Sequence, residues 1–325
     1  MSESLLVPEA VVSTSTLAVL SEAISIEPAG EGAWILGERL DLPDERYLEV
    51  TLANAIYRKF HACQDDGSGA LRPQRIAAFE QQLSEQIPVP EFEQPAVYLG
   101  GSTTDGMQET HSLISIEGVK VCIENRLVIS RRSNPVANSN ILVTLPAARP
   151  AASPGFFYTL GAAASLAPKP ARTVRLYVNV THAEHAPKAW GSVLAALESL
   201  GNRYSAKVLS DPAAYPRNDA IVAYIGDPRL DQIKTLSYAL SDVSGVGTQT
   251  SVFAERIAPG IAIAEEPNDL RPTMRALSFG QHRSLLYART LINSAQKGRN
   301  LDEELMYQLT AAGVDPARPA MNAAG

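Results

Sequence analysis

The chain has 325 residues, a formal net charge of −7 and only two cysteines. That length allows one large domain or two ordinary ones. The 45% hydrophobic content rules out wholesale disorder. Cys63 and Cys122 are too few for a disulfide framework or a four-thiolate zinc site. An acidic chain lacks the diffuse basic surface of a sequence-blind nucleic-acid binder, although a local basic groove is compatible with it. The start, MSESLLVPEAVVSTSTLAVLSEA, carries acids and no basic n-region, so it is not read as a signal peptide. No stretch has the apolar length of a membrane span. The cytoplasm is the expected compartment; a Ser-rich start also fits a type III secretion signal.

In chain order, residues 1–10 read as a loose arm and a weak helical stretch runs to about Glu22. The first strong helix follows Leu42-Pro43-Asp44, with Asp44 a candidate N-cap and Leu48, Leu52, Ile56 and Phe60 in one apolar stripe. Gln64 to Gly69 is a turn-rich loop. A second helix carries Ile76, Phe79, Leu83 and Ile87 and stops at Pro88 and Pro90. The first 90 or so residues are therefore expected to be mainly helical. The period then changes. Leu113–Glu117 and Val119–Ile123 alternate about Gly118, a hairpin signature, and strands follow at Leu127–Ser130 and Asn140–Leu145. Pro146–Pro154 and Ala162–Ala171, rich in Ala and Pro, read as loose connections.

The second half reads as mixed α/β. Strands are expected at Val174–Val180, Tyr204–Leu209 and Ala220–Ile225. Helices are expected at Pro187–Leu200, around Leu230–Leu240, and from Phe279 to about Ala295 behind a Ser278 cap. A last helix starts at the Asn300–Glu303 capping box and ends at Gly313, and the tail from Asp315 is expected to fray. The fold class is α+β: a helical N-terminal part (1–95), a β-meander wing (96–150) and an α/β part (151–325), packed as one compact unit.

Familiar reactive motifs are absent. There is no phosphate-binding glycine loop, no H-E-x-x-H and no G-x-S-x-G elbow. His182 and His185 are three apart but lack a third ligand, so no metal is assigned. Cys63 reads as a free thiol rather than a nucleophile. Two polar segments stand out. Lys207 sits in the middle of a strand, where an ammonium is disfavoured unless it reaches water or an anion. Arg217 and Asp219 flank the next strand, where a loop ion pair would contribute little. Ser278-Phe279-Gly280-Gln281-His282-Arg283 packs a cap, a histidine and an arginine into a helix N-terminus. Such an end favours anions, although it fits equally a helix start with one core histidine.

These segments carry a resemblance. The ordered set runs from Arg175-Leu176-Tyr177-Val178-Asn179 through Lys207, Tyr215-x-Arg217-x-Asp219-Ala220 and Tyr224. It continues with Ala258–Pro267 and ends at Ser278–Arg283. It resembles the HopA-type type III effector family, especially the relatives found in gene clusters for ribosomally made peptides. Weaker echoes lie at Ile56–Phe60 and Gly155–Tyr158, and Thr248–Phe253 departs from the family pattern. The resemblance implies a phospho-Ser/phospho-Thr lyase, which eliminates phosphate from a precursor peptide to give dehydroalanine or dehydrobutyrine, as in lanthipeptide and thioamitide pathways. It implies a leader-core precursor peptide and a phosphotransferase-type kinase as partners, with no nucleic acid, no membrane and no cofactor.

The chemistry then assigns roles. Lys207 is the candidate base, Arg217, Arg283 and Arg175 the phosphate ligands and His282 the acid. Tyr215 and Tyr224 are the donors to phosphate or amide oxygen. Two alternatives stand beside the enzyme: a non-catalytic peptide-binding scaffold that uses a strand edge of the wing, and a secreted effector.

Overall fold

The computed structural model describes residues 12–27, 32–40, 47–64, 74–102, 111–129, 135–164 and 169–324. The Asp44 cap and most of the Gln64–Gly69 loop lie outside them. The described N-terminal part opens with α1 (Val12–Ala23) and a small antiparallel sheet of β1 (Ile24–Ile26), β2 (Ala33–Ile35) and β3 (Glu38–Arg39). Strands of two or three residues are too short to show a period of two, which is why the sequence reads as helical there. Next come α2 (Leu48–Ile56), a π-helical turn at Tyr57–Ala62, and α3 (Ala77–Ser84).

The wing is a five-stranded antiparallel sheet in the order β6-β5-β4-β8-β7. Its strands are β4 (Glu91–Ser102), β5 (His111–Ile116), β6 (Val119–Glu124), β7 (Val128–Ile129) and β8 (Ser139–Pro146). The expected hairpin is β5–β6. The central strand β4 escapes the sequence reading because Pro95, Gly100 and Gly101 interrupt it. Pro95 is tolerated because β4 pairs with β5 only from Val97 onward, which leaves the Pro95 position bonded on one side.

The rest is a seven-stranded antiparallel sheet, in the order β14-β15-β11-β13-β12-β10-β9. Its strands are β9 (Ala148–Ser153), β10 (Phe156–Leu160), β11 (Thr173–Val180), β12 (Tyr204–Leu209), β13 (Arg217–Gly226), β14 (Glu255–Ala258) and β15 (Ile261–Glu265). The expected connection at 146–154 is thus largely a strand. Its Pro150 sits on the sheet's outermost strand, where a missing N–H breaks no ladder. The helices are α4 (Ala186–Leu200), α5 (Leu230–Leu240), α6 (Phe279–Lys297) and α7 (Leu301–Ala311).

Alternation sorts the sheet's two faces. Val174, Leu176, Val178 and Val180 of β11 and Tyr204, Ala206 and Val208 of β12 share one core with Trp190, Leu194 and Leu197 of α4 and Leu236 of α5. Arg175, Tyr177 and Asn179, one step out of phase, point to the other face. There Tyr177, Val222, Ala262 and Ala264 pack with α2 and α6 residues. Those two helices cover only part of that face. Lys207, which pairs with Val222 on one side and Tyr158 on the other, lies beyond them.

The C-terminal tail is not frayed in the structure. Glu265 N–H donates to Ala320 O at 2.9 Å, Asn322 N–H donates to the Glu265 carboxylate at 2.9 Å, and Val314 bridges to Asn322. These bonds extend the sheet's β15 end with tail backbone, and burial of Val314 and Ala320 in the core adds to them.

One glycine sets how close α6 approaches the π turn. A Cβ at Gly280 would stand 2.3 Å from the His61 ring. Both partners are buried, so nothing yields cheaply. Gly280→Ala is expected to lower unfolding free energy by about 1–3 kcal/mol, read as a fall in the urea midpoint without loss of the folded baseline.

Candidate functional site

The π turn carries the first part of the site. A π-helical bulge shifts side chains relative to the α-helical register. Here it presents Tyr57 and His61 to the sheet and ends at Cys63 in the left-handed region (φ 50°). Asn218 of β13 holds this turn, donating to His61 O at 3.2 Å and to Cys63 Sγ at 3.0 Å, and accepting from Asn179 at 2.7 Å. His61 is buried among Tyr57, Tyr177, Phe253 and Phe279. Its Nδ1 meets Ser251 Oγ at 2.7 Å, and that oxygen also accepts from Phe253 N–H. Burial pushes the His61 pKa down to about 4.

The charged groups lie on the same face. Arg217 grips Asp219 with Nε and Nη2, at 2.7 and 2.8 Å, and the Tyr57 hydroxyl donates to Asp219 Oδ2 at 3.1 Å. The two side chains are 12% and 6% exposed, so this is a buried pair inside β13 and not the loop contact expected from sequence. Losing one partner of such a pair typically costs about 3–5 kcal/mol. Burial opposes the Asp219 charge, but Arg217 overrides it and holds the carboxyl well below its usual range. Arg175 is paired in the same two-pronged manner with Glu266 and lies over the Tyr224 ring, 4.9 Å from its centroid. Beside it the Tyr177 hydroxyl is buried, which raises its pKa, while the Arg175 guanidinium favours its ionisation.

Lys207 lies between these two ion pairs. Its Nζ sits 4.3 Å from the Phe156 ring centroid and 5.9 Å from that of Tyr224. The same two rings are shared with Arg217 and Arg175 respectively. Burial pulls the Lys207 pKa below the ordinary lysine value. Asp219 opposes that shift, and repulsion from Arg175 and Arg217 adds to it. Desolvation plus neighbouring cations is the combination that yields a neutral, basic amine. The Tyr224 hydroxyl is the reverse case: burial raises its pKa, so it stays protonated and available to donate.

The structure thus gathers Lys207, Arg175, Arg217 and Tyr224. It seats the other expected residues elsewhere. Tyr215 donates to Leu209 O at 3.0 Å and packs edge-on against Phe79, fixing the turn between β12 and β13. His282 and Arg283 are fully buried in α6. Arg283 Nη1 donates to His282 Nδ1 at 2.6 Å, so His282 carries its proton on Nε2 and donates it to Asp269 at 3.0 Å. Arg283 Nε donates to Pro319 O at 2.6 Å. Asp269, His282 and Arg283 form a buried chain that clasps the C-terminal tail, with both ring nitrogens engaged. Burial and Arg283 push the His282 pKa down to about 4. The helix cap itself is as expected, with Ser278 and Gln281 bonded reciprocally.

Sequence reading missed Tyr57, His61 and Glu266 because they reach the site across 91 to 162 residues of chain. It also passed over Tyr158, the cross-strand neighbour of Lys207. Tyr158 and Tyr224 open onto a cleft of ≈ 880 Å³ between the sheet and the wing. Among the described residues no cluster has the makings of a metal site, and no helix is long and apolar enough to cross a membrane.

The HopA1 effector protein family matches residues 147–321, which span β9 through the clasped tail and contain the charged cluster. Among solved structures, the effector protein from Pseudomonas syringae pv. tomato strain DC3000 is 19% identical, with a TM-score of 0.39. That match covers 52% of this chain and 63% of the effector's own. The effector protein from Pseudomonas syringae pv. syringae strain 61 is 17% identical over 85% of this chain and 90% of its own, with a TM-score of 0.46. No curated protein matches the chain.

The two buried neutral histidines dictate a pH response. Their folded pKa values lie below the unfolded value near 6.5, so below that pH the unfolded chain binds more protons. Stability is therefore expected to fall as pH drops from about 6.5 towards about 4, ahead of any loss from the depressed Asp219 and Asp269. Urea midpoints across that range check this, and His282→Gln should flatten the slope.

Proposed function

The chain belongs to the HopA1 effector protein family, and on that premise we propose that it is a phospho-Ser/phospho-Thr lyase acting on a phosphorylated precursor peptide. The observation that carries this reading is Lys207: an amine with a lowered pKa, set between Arg175 and Arg217 on one face of the sheet. β-Elimination needs a base for the α-proton and cations for the departing phosphate, and this cluster supplies both without a metal.

In this mechanism the phosphorylated residue lies over Phe156 and Tyr224. Arg175 and Arg217 turn part of their donor forks from Glu266 and Asp219 to the phosphate oxygens, where Arg forms strong two-pronged bonds. Neutral Lys207 takes the α-proton. The released pair forms the Cα=Cβ bond, and the Cβ–O bond breaks with its electrons on phosphate. The proton on Lys207 then passes to the departing oxygen, giving hydrogen phosphate, the dehydroamino acid and neutral lysine again. Tyr224 donates a hydrogen bond to the substrate's amide oxygen or the phosphate. His282 and Arg283 support the site at a distance by clasping the tail and, through Asn322, the strand end that carries Glu266. A partner kinase would supply the phosphopeptide.

Mass spectrometry on a phosphothreonine peptide tests the assignment. Lys207→Ala is expected to slow loss of phosphoric acid by about 10²–10⁴-fold. Lys207→Arg should be equally slow, because a guanidinium stays charged. For the native chain, kcat/KM should rise with pH through a pKa below that of free lysine. Full activity in Lys207→Ala overturns the base assignment.

A further inference from the structure

The wing is one-sided. Residues paired across antiparallel strands share a face, so the pairs Phe92–Leu145, Ile114–Val121 and Ile116–Val119 put one apolar surface on the same side. Ala96, Tyr98, Ile114, Ile123 and Val143 form the wing's buried apolar core, and Phe92 is buried too. At the outer part of the face Ile116 and Val121 pack on this core while half-open to the cleft, and Val119 beside them lines it 64% exposed. An apolar surface left open in this way marks a binding surface.

The opposite side of the cleft is polar and basic. Its floor is Tyr158, Ser205 and Tyr224, flanked by Arg149 and Arg203. Both arginines act on the Tyr158 hydroxyl, favouring its ionisation against burial, which raises its pKa. Arg149 also lies over Phe92, 5.7 Å from the ring centroid, and so ties floor to roof at one end. The acids lining the cleft are on the wing side: Glu117, and Glu124 in an ion pair with Arg126. The floor continues into the charged cluster, since Tyr158 is the cross-strand partner of Lys207 and the Tyr224 ring approaches its ammonium.

We propose that this cleft is the substrate channel, and that its occupant is an extended peptide with two features. Apolar side chains next to the phosphorylated residue seat on Ile116, Val119 and Val121. An acidic residue on the same segment meets Arg149 and Arg203. The proposal rests on the phosphopeptide reading above and adds what flanks the reacting residue. An apolar roof over a basic floor discriminates by both chemistries at once: a basic flank is repelled by the arginines, and a polar one gains nothing from the wing.

The probe is a fluorescein-labelled phosphothreonine peptide with valines on both sides and one glutamate, and its binding is followed by anisotropy. Val119→Asp with Val121→Asp should weaken binding by about tenfold or more, equivalent to about 1.4 kcal/mol. Arg203→Glu should weaken binding of this peptide and not of its glutamate-to-glutamine version. Amide hydrogen exchange at Val119–Glu124 should slow when the peptide is present. Unchanged affinity in the double wing variant, with its urea midpoint intact, overturns the channel, as does unprotected exchange there. Because binding is read without turnover, the two readings separate. Wing-dependent binding with no elimination counts against the lyase alone, and elimination indifferent to the wing counts against the channel alone.

Discussion

A cation buried against a β-sheet is costly unless it is paired, and the site is organised by how its three cations differ in pairing. Arg175 and Arg217 keep their charge because Glu266 and Asp219 hold them two-pronged. Among the described residues Lys207, between them, has no carboxylate within ion-pair distance, and its ammonium lies against the rings of Phe156 and Tyr224. The sheet enforces this division. Its ladder fixes the Lys207 backbone opposite Val222 and Tyr158, and so the point from which its side chain starts.

The same pairing explains the helical cover. Asp219 needs a hydrogen-bond donor besides Arg217, and Tyr57 on the π turn provides it. That turn is positioned by Asn218 and by the close approach of Gly280 to His61. Farther out, the Asp269–His282–Arg283 chain fixes the tail, and Asn322 of the tail bonds to the main chain of Glu266. The Asp219 carboxylate is thus anchored by Tyr57, and the backbone that carries Glu266 by the tail, both remote in sequence. A phosphate entering the cluster competes with these carboxylates for the arginine forks. Such competition favours a dianion over a weaker anion.

Much of the fold is legible in the sequence because its strands and helices carry clean periods. The alternation of Val174–Val180 and the stripe of Trp190, Leu194 and Leu197 give β11 and α4 directly. The failures have physical causes. Strand β4 is broken by Pro95 and two glycines, β9 is an Ala- and Pro-containing edge, and the tail is held in part by main-chain bonds that leave no side-chain pattern. Of the site, Lys207, Arg175, Arg217 and Tyr224 stand out as polar residues on strands. His282 and Arg283 stand out equally, since a buried histidine clasped by an aspartate and an arginine has the same local sequence as a reactive one. Only the contacts at Asp269 and Pro319 tell them apart.

The central claim is that the cluster breaks a carbon–oxygen bond by removing a proton, not a phosphorus–oxygen bond by adding water. Turnover of a phosphothreonine peptide in water enriched in oxygen-18 tests it most directly. Elimination predicts phosphate with no solvent oxygen and a peptide lighter by the elements of phosphoric acid. Phosphate carrying one solvent oxygen, with an intact threonine left in the peptide, would contradict the account.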